Sequence, residues 1–385
     1  MSDPRRQTIL YILNSTTSGG ANRSLAVLLS GLDRARFRPL AVAPGPGPFL
    51  DRLRDLEVPW TLLPLSTLTR RTGPAVARAK AAARNGLNLV RLGSLMERES
   101  VRLVHTNTVF PLGGGLAARL APVPHVWHLR EGLDYARYDL RFGRGLSLRI
   151  IAGLADRMIC ISEYVRRVSV PPAARQKAVV IPNALESCPP LRRPATGAGP
   201  VIGCLGFISP QKRTSVFIEV AGLLAARFPR ARFIVAGRPT SGEEQMVERL
   251  QERVRALGLE HRFHWPGFVP DPEEVYRQLD LLVHPGVHEA FGRVLMEAMA
   301  RGIPVVAVAS GGVPEVVEDG VTGRIVQADH IEEIARAAMD CLDDPGRYQE
   351  LSAQARRQAL RRFAPRLHVS RVQAVYETLL DPGPG

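Results

Sequence analysis

The segment Leu281–Gly323, LLVHPGVHEAFGRVLMEAMARGIPVVAVASGGVPEVVEDGVTG, carries two glutamates, Glu289 and Glu297, separated by seven residues. The pattern predicts Glu289 in a loop at the carboxyl end of a strand. It puts Glu297 inside a helix that starts near Gly292 and stops at Gly302. Val294, Leu295, Met296, Ala298 and Met299 surround Glu297, so its carboxylate sits on a mostly apolar helix. A buried carboxylate is costly without hydrogen-bond donors, and the two hydroxyls of a ribose would supply them. Phe291-Gly292-Arg293 opens the helix with unpaired N–H groups of partial positive charge, suited to a diphosphate, and Gly292 allows close backbone approach. Each glutamate alone has a plainer role, Glu289 as a helix cap and Glu297 as the partner of a neighbouring arginine. The whole arrangement is not so easily reduced.

Elements that position these groups follow from the hydrophobic pattern. Short apolar runs ending in Gly, Ser, Asn or Pro alternate with longer helical patterns, the signature of βα units and parallel sheets. Strands are predicted at Ile9–Leu13, Leu40–Ala43, Leu103–Val104, His125–His128 and Met158–Ile161, then at Val201–Phe207, Arg232–Ala236, Leu281–His284 and Pro304–Val308. Helices are predicted at Ser215–Arg227, Gly242–Leu257 and Gly292–Arg301, and the tail Tyr348–Leu380 reads as helix broken near Phe363-Ala364-Pro365. Between the two sets lies ESCPPLRRPATGAGP, Glu186–Pro200, where Pro, Gly and Ala replace periodic apolar residues as in a linker. A length of 385 residues also exceeds what one ordinary core holds.

Charge and cysteine usage bound the partners. Lys+Arg number 51 against 37 Asp+Glu, a net +14, and only Lys80, Lys177 and Lys212 among the cations are lysine. Such an excess points to anions: nucleic acid, phosphorylated small molecules or an acidic membrane. The four cysteines, Cys160, Cys188, Cys204 and Cys341, form no C-x-x-C pair, so neither a zinc site nor a disulfide framework is indicated and a reducing, cytoplasmic setting fits. The N-terminal apolar run is too short for a signal peptide, and no stretch approaches the ~20 apolar residues that span a bilayer.

The run Glu289-Ala-Phe-Gly-Arg-Val-Leu-Met-Glu297, followed by Ala298-Met299-Ala300, Gly302, Pro304-Val305-Val306-Ala307, Gly311-Gly312, Glu315 and Asp319-Gly320-x-x-Gly323, resembles the E-x7-E signature of retaining, GT-B nucleotide-sugar glycosyltransferases of family 4. The resemblance implies that Glu289 lies by the donor sugar's hydroxyls, that Glu297 holds the ribose and that the diphosphate sits near Gly292. It extends over almost the whole chain. Ser18-Gly19-Gly20-Ala21-Asn22-Arg23 resembles the family's G-G-A-E-R loop, with Asn22 for the usual Glu, so Gly19 and Gly20 are placed against the donor phosphate or the acceptor. Alone, the pattern equally describes a plain βα turn. Pro124–Glu131 matches the position where a strand-end histidine meets the donor sugar, which nominates His128; His105, ending the preceding strand, is placed on the acceptor side. Gly206 to Lys212 matches a G-R-x-x-x-x-K segment in which arginine and lysine grip the diphosphate. Lys212 is present, Phe207 stands where the arginine would be, and Arg213 or Arg293 is expected to supply the missing charge. Trp265–Asp271, through Phe268 and Val269, resembles the nucleobase loop.

The expected protein is therefore α/β with a GT-B fold: two doubly wound Rossmann-like domains facing a central cleft, and a C-terminal helix crossing back. Expected boundaries are an acceptor-binding domain at 1–185, a linker at 186–200, a donor-binding domain at 201–364 and a C-terminal helix at 365–385. The expected reaction is retaining transfer of a hexose from a nucleoside-diphosphate sugar to a hydroxyl of a lipid-linked or saccharide acceptor, in surface polysaccharide or glycolipid synthesis. No D-x-D motif occurs near the site, so no catalytic metal and no further cofactor are expected. Lys80, Arg84, Arg91 and Arg98 share one face if their helix is continuous across Gly86 and Gly93, a stripe suited either to plain solvation or to an anionic membrane on the inner face of the cell. Three alternatives stand beside this reading. A sugar-nucleotide epimerase would share the fold. A nucleic-acid binder fits the charge, but the arginines are dispersed and aromatic-basic interleaving is absent, so no nucleic-acid partner is expected. A nicotinamide dehydrogenase needs a G-x-G-x-x-G after the first strand, which the sequence lacks.

Overall fold

In the computed structural model, residues 6–69, 75–135, 138–191, 199–327 and 330–381 are described. The chain divides into two compact units, Met1–Glu186 with Pro365–Gly385, and Ser187–Ala364. Much of the expected linker, 192–198, lies outside the described residues.

The N-terminal unit is built on a seven-stranded parallel sheet of β1 (Gln7–Ile12), β2 (Phe37–Ala43), β3 (Trp60–Leu62), β4 (Val101–Asn107), β5 (His125–Leu129), β6 (Arg157–Cys160) and β7 (Ala178–Val180). Its order is β3-β2-β1-β4-β5-β6-β7, so the chain reverses direction across the sheet between β1 and β4. Strands β1, β2, β4 and β5 are buried almost throughout, which is why they read as continuous apolar runs. The C-terminal helix Pro365–Leu380 belongs to this unit: Val369, Val372 and Tyr376 pack with Ile9, Tyr11, Leu25 and Phe37 in one core. Each fully buried aliphatic side chain there contributes about 1.5–3 kcal/mol. Gly31 permits the approach, because a Cβ on it would lie 2.8 Å from Val369 Cγ2.

The C-terminal unit carries β8 (Val201–Leu205), β9 (Arg232–Ala236), β10 (Phe263–Gly267), β11 (Leu281–His284), β12 (Val305–Val308) and β13 (Arg324–Val326), all parallel and ordered β10-β9-β8-β11-β12-β13. The reversal here falls between β8 and β11. Helices Thr214–Arg227, Glu244–Ala256 and Arg293–Ala300 match the expected ones within two residues at each end. The tail forms two helices, Pro345–Arg362 and Pro365–Leu380, parted at Phe363-Ala364.

Four strands escape the sequence pattern: β3, β7, β10 and β13. Each is short and lies at a sheet edge, with at most one buried residue, so none shows a full apolar run. Trp265-Pro266-Gly267, expected in a loop, closes β10, and the loop starts at Phe268.

Candidate active site

Strands β8 and β11 lie side by side where the strand order reverses, the place beyond which open parallel sheets bind ligands. The loop after β8 brings Lys212 and the loop after β11 brings Glu289. Lys212 Nζ donates to Glu289 Oε2, and Nε2 of His284, the last residue of β11, lies 3.0 Å from the same oxygen. Burial pushes the Glu289 carboxyl up, but the Lys212 charge and the His284 hydrogen bond outweigh it and hold it well below the usual carboxylate range. Both groups converge on Oε2, so Oε1 and the other N–H groups of Lys212 have no hydrogen-bond partner among the described residues. These are the acceptor and donors a ligand would use.

Backbone contacts fix the pair. Val287 N–H donates to Gln211 O at 2.9 Å, Gln211 Nε2 to His288 O at 2.8 Å and Gly312 N–H to Glu289 O at 2.7 Å. Gly311 adopts φ +63°, and a Cβ on it would stand 2.1 Å from Glu289 O. The Gly-Gly pair therefore serves the loop that holds Glu289. Gly292, at φ +89°, starts the helix Arg293–Ala300.

Glu297, expected to hold the ribose, is tied to side chains of its own unit. It is 5% exposed, and its Oε1 accepts from Arg293 Nη2 at 2.9 Å while Oε2 accepts from Tyr276 Oη at 3.0 Å. The plainer role, pairing with a neighbouring arginine, is the one its contacts fill. Arg293, expected to compensate for Phe207, is correspondingly engaged in that pair. Arg213 stands at the start of helix Thr214–Arg227 in a left-handed conformation, φ +54°. The cation beside Phe207 is instead Arg238, whose guanidinium carbon lies 5.8 Å from the Phe207 ring centroid and 5.1 Å from that of Phe268. Gly237 makes this possible: any Cβ on it would collide with Gly206 O at 1.7 Å, so the ends of β8 and β9 run together. Phe207 and Phe268 are exposed, and Val269 is half-buried.

In the N-terminal unit, Gly19 and Gly20 start helix Gly20–Gly31 just after β1. Asn22, where the resembled loop has Glu, donates from Nδ2 to Ser15 O at 2.9 Å and Thr17 O at 2.8 Å, tying down the glycine turn. His128 lies near the end of β5 and is fully buried. Burial, the Arg130 charge and the rings of His105 and His368 push its pKa well below the usual histidine value, so it is neutral. Its Nε2 has no partner among the described residues. Arg130 organises the surroundings: Nε donates to Asn107 Oδ1 at 2.6 Å and Nη1 to Asn183 Oδ1 at 2.8 Å. His105, expected on the acceptor side, lies in the same buried group. It is fully buried against the C-terminal helix, with Nδ1 2.7 Å from Tyr376 Oη, because the core formed by that helix covers it.

From the sequence, Gly237-Arg238-Pro239 follows the strand Phe233–Ala236 at an edge like that of the nucleobase loop; the contact of Arg238 with Phe207 required the closeness of β8 and β9. Sequence reasoning missed His284 and Arg130. His284 could have been found, since it closes an apolar run five residues before Glu289. Arg130 required the pairing of β4 with β5. Among the described residues, no group of three or more His, Cys, Asp or Glu side chains is placed to hold a metal ion, and no helix is long and apolar enough to cross a membrane.

Comparison with known proteins places the chain in a family. Residues 193–358 match the sequence model of glycosyl transferases group 1, and residues 18–187 match that of Glycosyltransferase Family 4. The chain belongs to the group 1, family 4 glycosyltransferases. Among its family relatives, the lipopolysaccharide core biosynthesis mannosyltransferase LpsB of Rhizobium meliloti (strain 1021) is 37% identical over 182 residues, 46% of this chain and 52% of that protein. A D-inositol 3-phosphate glycosyltransferase of Rhodococcus jostii (strain RHA1) is 36% identical over 163 residues, 41% of this chain and 36% of that one. The chain thus spans about half the length, or less, of the curated relatives it matches. The crystal structure of Anabaena Alr3699/HepE in complex with UDP and glucose has the same fold, with a TM-score of 0.80 and 22% identity over 97% of this chain and all of that one. A sucrose-phosphate synthase from Thermosynechococcus elongatus gives a TM-score of 0.74 and 19% identity over 98% of this chain and all of that one. The family's GT-B fold of two Rossmann-like domains is therefore the fold of this chain.

Proposed function

We propose that this protein transfers a hexose from a nucleoside-diphosphate sugar to a hydroxyl of a saccharide or lipid-linked acceptor, with retention of anomeric configuration, in the synthesis of a surface polysaccharide or glycolipid. The observation that carries the proposal is the Lys212–Glu289–His284 cluster at the strand-order reversal of the C-terminal unit. Support also comes from family membership, from the mannosyltransferase LpsB among the relatives and from the UDP and glucose held by a structural neighbour.

The proposed chemistry uses charge at fixed places. Departure of the nucleoside diphosphate leaves negative charge on a phosphate oxygen, which Lys212 and the helix N-terminus at Gly292 stabilise as it forms. Oε1 of Glu289 takes a hydroxyl of the donor sugar and orients it. Phe207, Arg238 and Phe268 offer stacked planar groups to the nucleobase, and Arg238 supplies the cation absent at position 207. Within the N-terminal unit, His128 and the Gly19-Gly20 turn are assigned to sugar orientation, the buried His128 Nε2 having no partner among the described residues. The reaction is assigned no resident metal.

Placement at the inner face of the membrane is part of the same proposal. Helix Ala75–Arg98 is continuous, and Lys80, Arg84, Arg91 and Arg98 are all exposed along it. Leu87, 52% exposed, lies on the same face by its spacing, and a basic stripe with an apolar residue suits an anionic bilayer surface.

The test is a thermal-shift panel of nucleoside diphosphates and their sugars, followed by transfer assays with the stabilising donor and NMR of the product anomer. A stabilising nucleoside diphosphate and a retained anomer are expected. An inverted product would remove the retaining assignment, and failure of every nucleotide sugar to bind would sink the reading itself.

A further inference from the structure

The N-terminal unit contains a cavity of about 730 Å³ just beyond the carboxyl ends of β2 and β3, under the helix Ala75–Arg98. Its volume is within the ~300–1,000 Å³ of small-molecule sites. Hydroxyls of Ser66, Thr67 and Thr69 line it, together with Asn85, Arg84 and Arg141. No Asp or Glu is among its described lining residues.

Three features make this a built site. First, Asn85 Oδ1 is buried and has no hydrogen-bond donor among the described residues, a desolvation cost that a ligand hydroxyl would relieve. Second, Arg84 and Arg141, both exposed at the rim, have no carboxylate partner among the described residues, so two positive charges border the same space. Third, the rim is fixed: Arg141 N–H donates to Leu68 O at 2.7 Å, and the Thr67 and Thr69 hydroxyls lie 2.9 Å apart. Hydroxyls with an amide acceptor match the hydroxyls of a sugar, and the paired guanidiniums match an oxyanion.

We propose that this cavity binds a saccharide bearing an oxyanion, either a phosphate ester or a carboxylate, and that it is where the acceptor is recognised. Asn85 and the threonine hydroxyls read the sugar ring, and Arg84 with Arg141 hold its anionic group. The role as acceptor site rests on the glycosyltransferase reading above; binding of the anionic sugar does not.

Ligand-observed NMR titrations of the full chain with glucose 6-phosphate, glucuronate, glucose and inorganic phosphate test the inference, with UDP titrated into the same samples. Glucose 6-phosphate or glucuronate should bind about tenfold or more tightly than glucose, since one charge-assisted hydrogen bond is worth about 1.4 kcal/mol or more. Which of the two binds names the oxyanion. Arg141→Gln should reduce that preference, Arg84 remaining, whereas Asn85→Ala should weaken charged and neutral sugars alike. Equal affinity for glucose and both anionic sugars, an unchanged preference in Arg141→Gln, inorganic phosphate binding as tightly as the sugar phosphate, or no binding of either anionic sugar would each overturn it. If UDP binds while the sugars do not, only the cavity assignment fails. If the anionic sugar binds while no nucleoside diphosphate does, the donor reading fails and the cavity stands.

Discussion

The two units place polar side chains at equivalent points, beyond the reversal of strand order in a parallel sheet, yet treat charge in opposite ways. In the C-terminal unit a carboxylate faces an ammonium and an imidazole, with Lys212 22% and Glu289 12% exposed. In the N-terminal unit His105 and His128 are fully buried and neutral around Arg130, which is held by the amide oxygens of Asn107 and Asn183. Part exposure keeps ionised groups within reach of a ligand and still screened little enough to matter. Around Arg130, full burial turns the paired polar groups into fasteners whose worth is realised in stability, because an unmade bond there is expensive.

The strongest way to break the contrast is Lys212→Ala. Loss of the one ammonium beside the departing diphosphate is expected to lower kcat about 10²–10³-fold, roughly 3–4 kcal/mol of transition-state stabilisation, measured by initial rates of transfer. A rate within a few-fold of the parent would move the site elsewhere. Arg130→Met attacks the other unit: two buried amide oxygens lose their donor, and urea denaturation should show a loss of about 2–4 kcal/mol. Unchanged stability would mean that the fastener description is wrong.

Acid should separate the two regions. Burial keeps His105 and His128 uncharged, with pKa values well below their usual 6.5, and His125 is lowered to about 4. The unfolded chain therefore takes up more protons as pH falls below about 6.5, and the N-terminal unit loses stability from there downward. Glu131, raised to about 7 by burial, acts the other way, since folding favours its protonated form as pH drops. Three histidines against one glutamate leave a net loss. Glu289, held low, keeps its contribution until pH falls below the ordinary carboxylate value of 4.5. Hydrogen exchange between pH 6.5 and 5 should thus lose protection in β4, β5 and the C-terminal helix, with Leu281–Ala300 unchanged. Protection lost first at Leu281–Ala300 would reverse the comparison.

The smallest effects concern glycines. Gly31→Ala drives a Cβ into Val369 and should cost about 1–3 kcal/mol. Gly93→Ala meets nothing within 4 Å in the middle of a helix and should stabilise by about 0.5–1 kcal/mol. Thermal melts of the two variants, shifted in opposite directions, are the expected outcome.

Much of the fold was legible in the sequence because buried parallel strands are unbroken apolar runs; the edge strands β3, β7, β10 and β13 were not, being short and partly exposed. At the site, Glu289 and Lys212 could be nominated from type and spacing. The resemblance nominated Glu297 for a ribose; its pairing with Arg293 and Tyr276 was not legible, because Tyr276 comes from a separate element.

Residue order alone determined the alternation of strands and helices, the glycines that the turns at Gly292 and Gly311 demand, and the excess of arginine over acids. Tertiary structure decided which charges are neutralised by one another and which stay unopposed. Arg293 and Arg130 are consumed in buried bonds, Arg238 is carried to Phe207 by the close passage of Gly206 and Gly237, and Arg84 with Arg141 are left facing a cavity without a carboxylate. Partners in these contacts lie up to 53 positions apart, as with Arg130 and Asn183, and charge pairing depends on distances of a few ångströms that only the packed sheets and loops set.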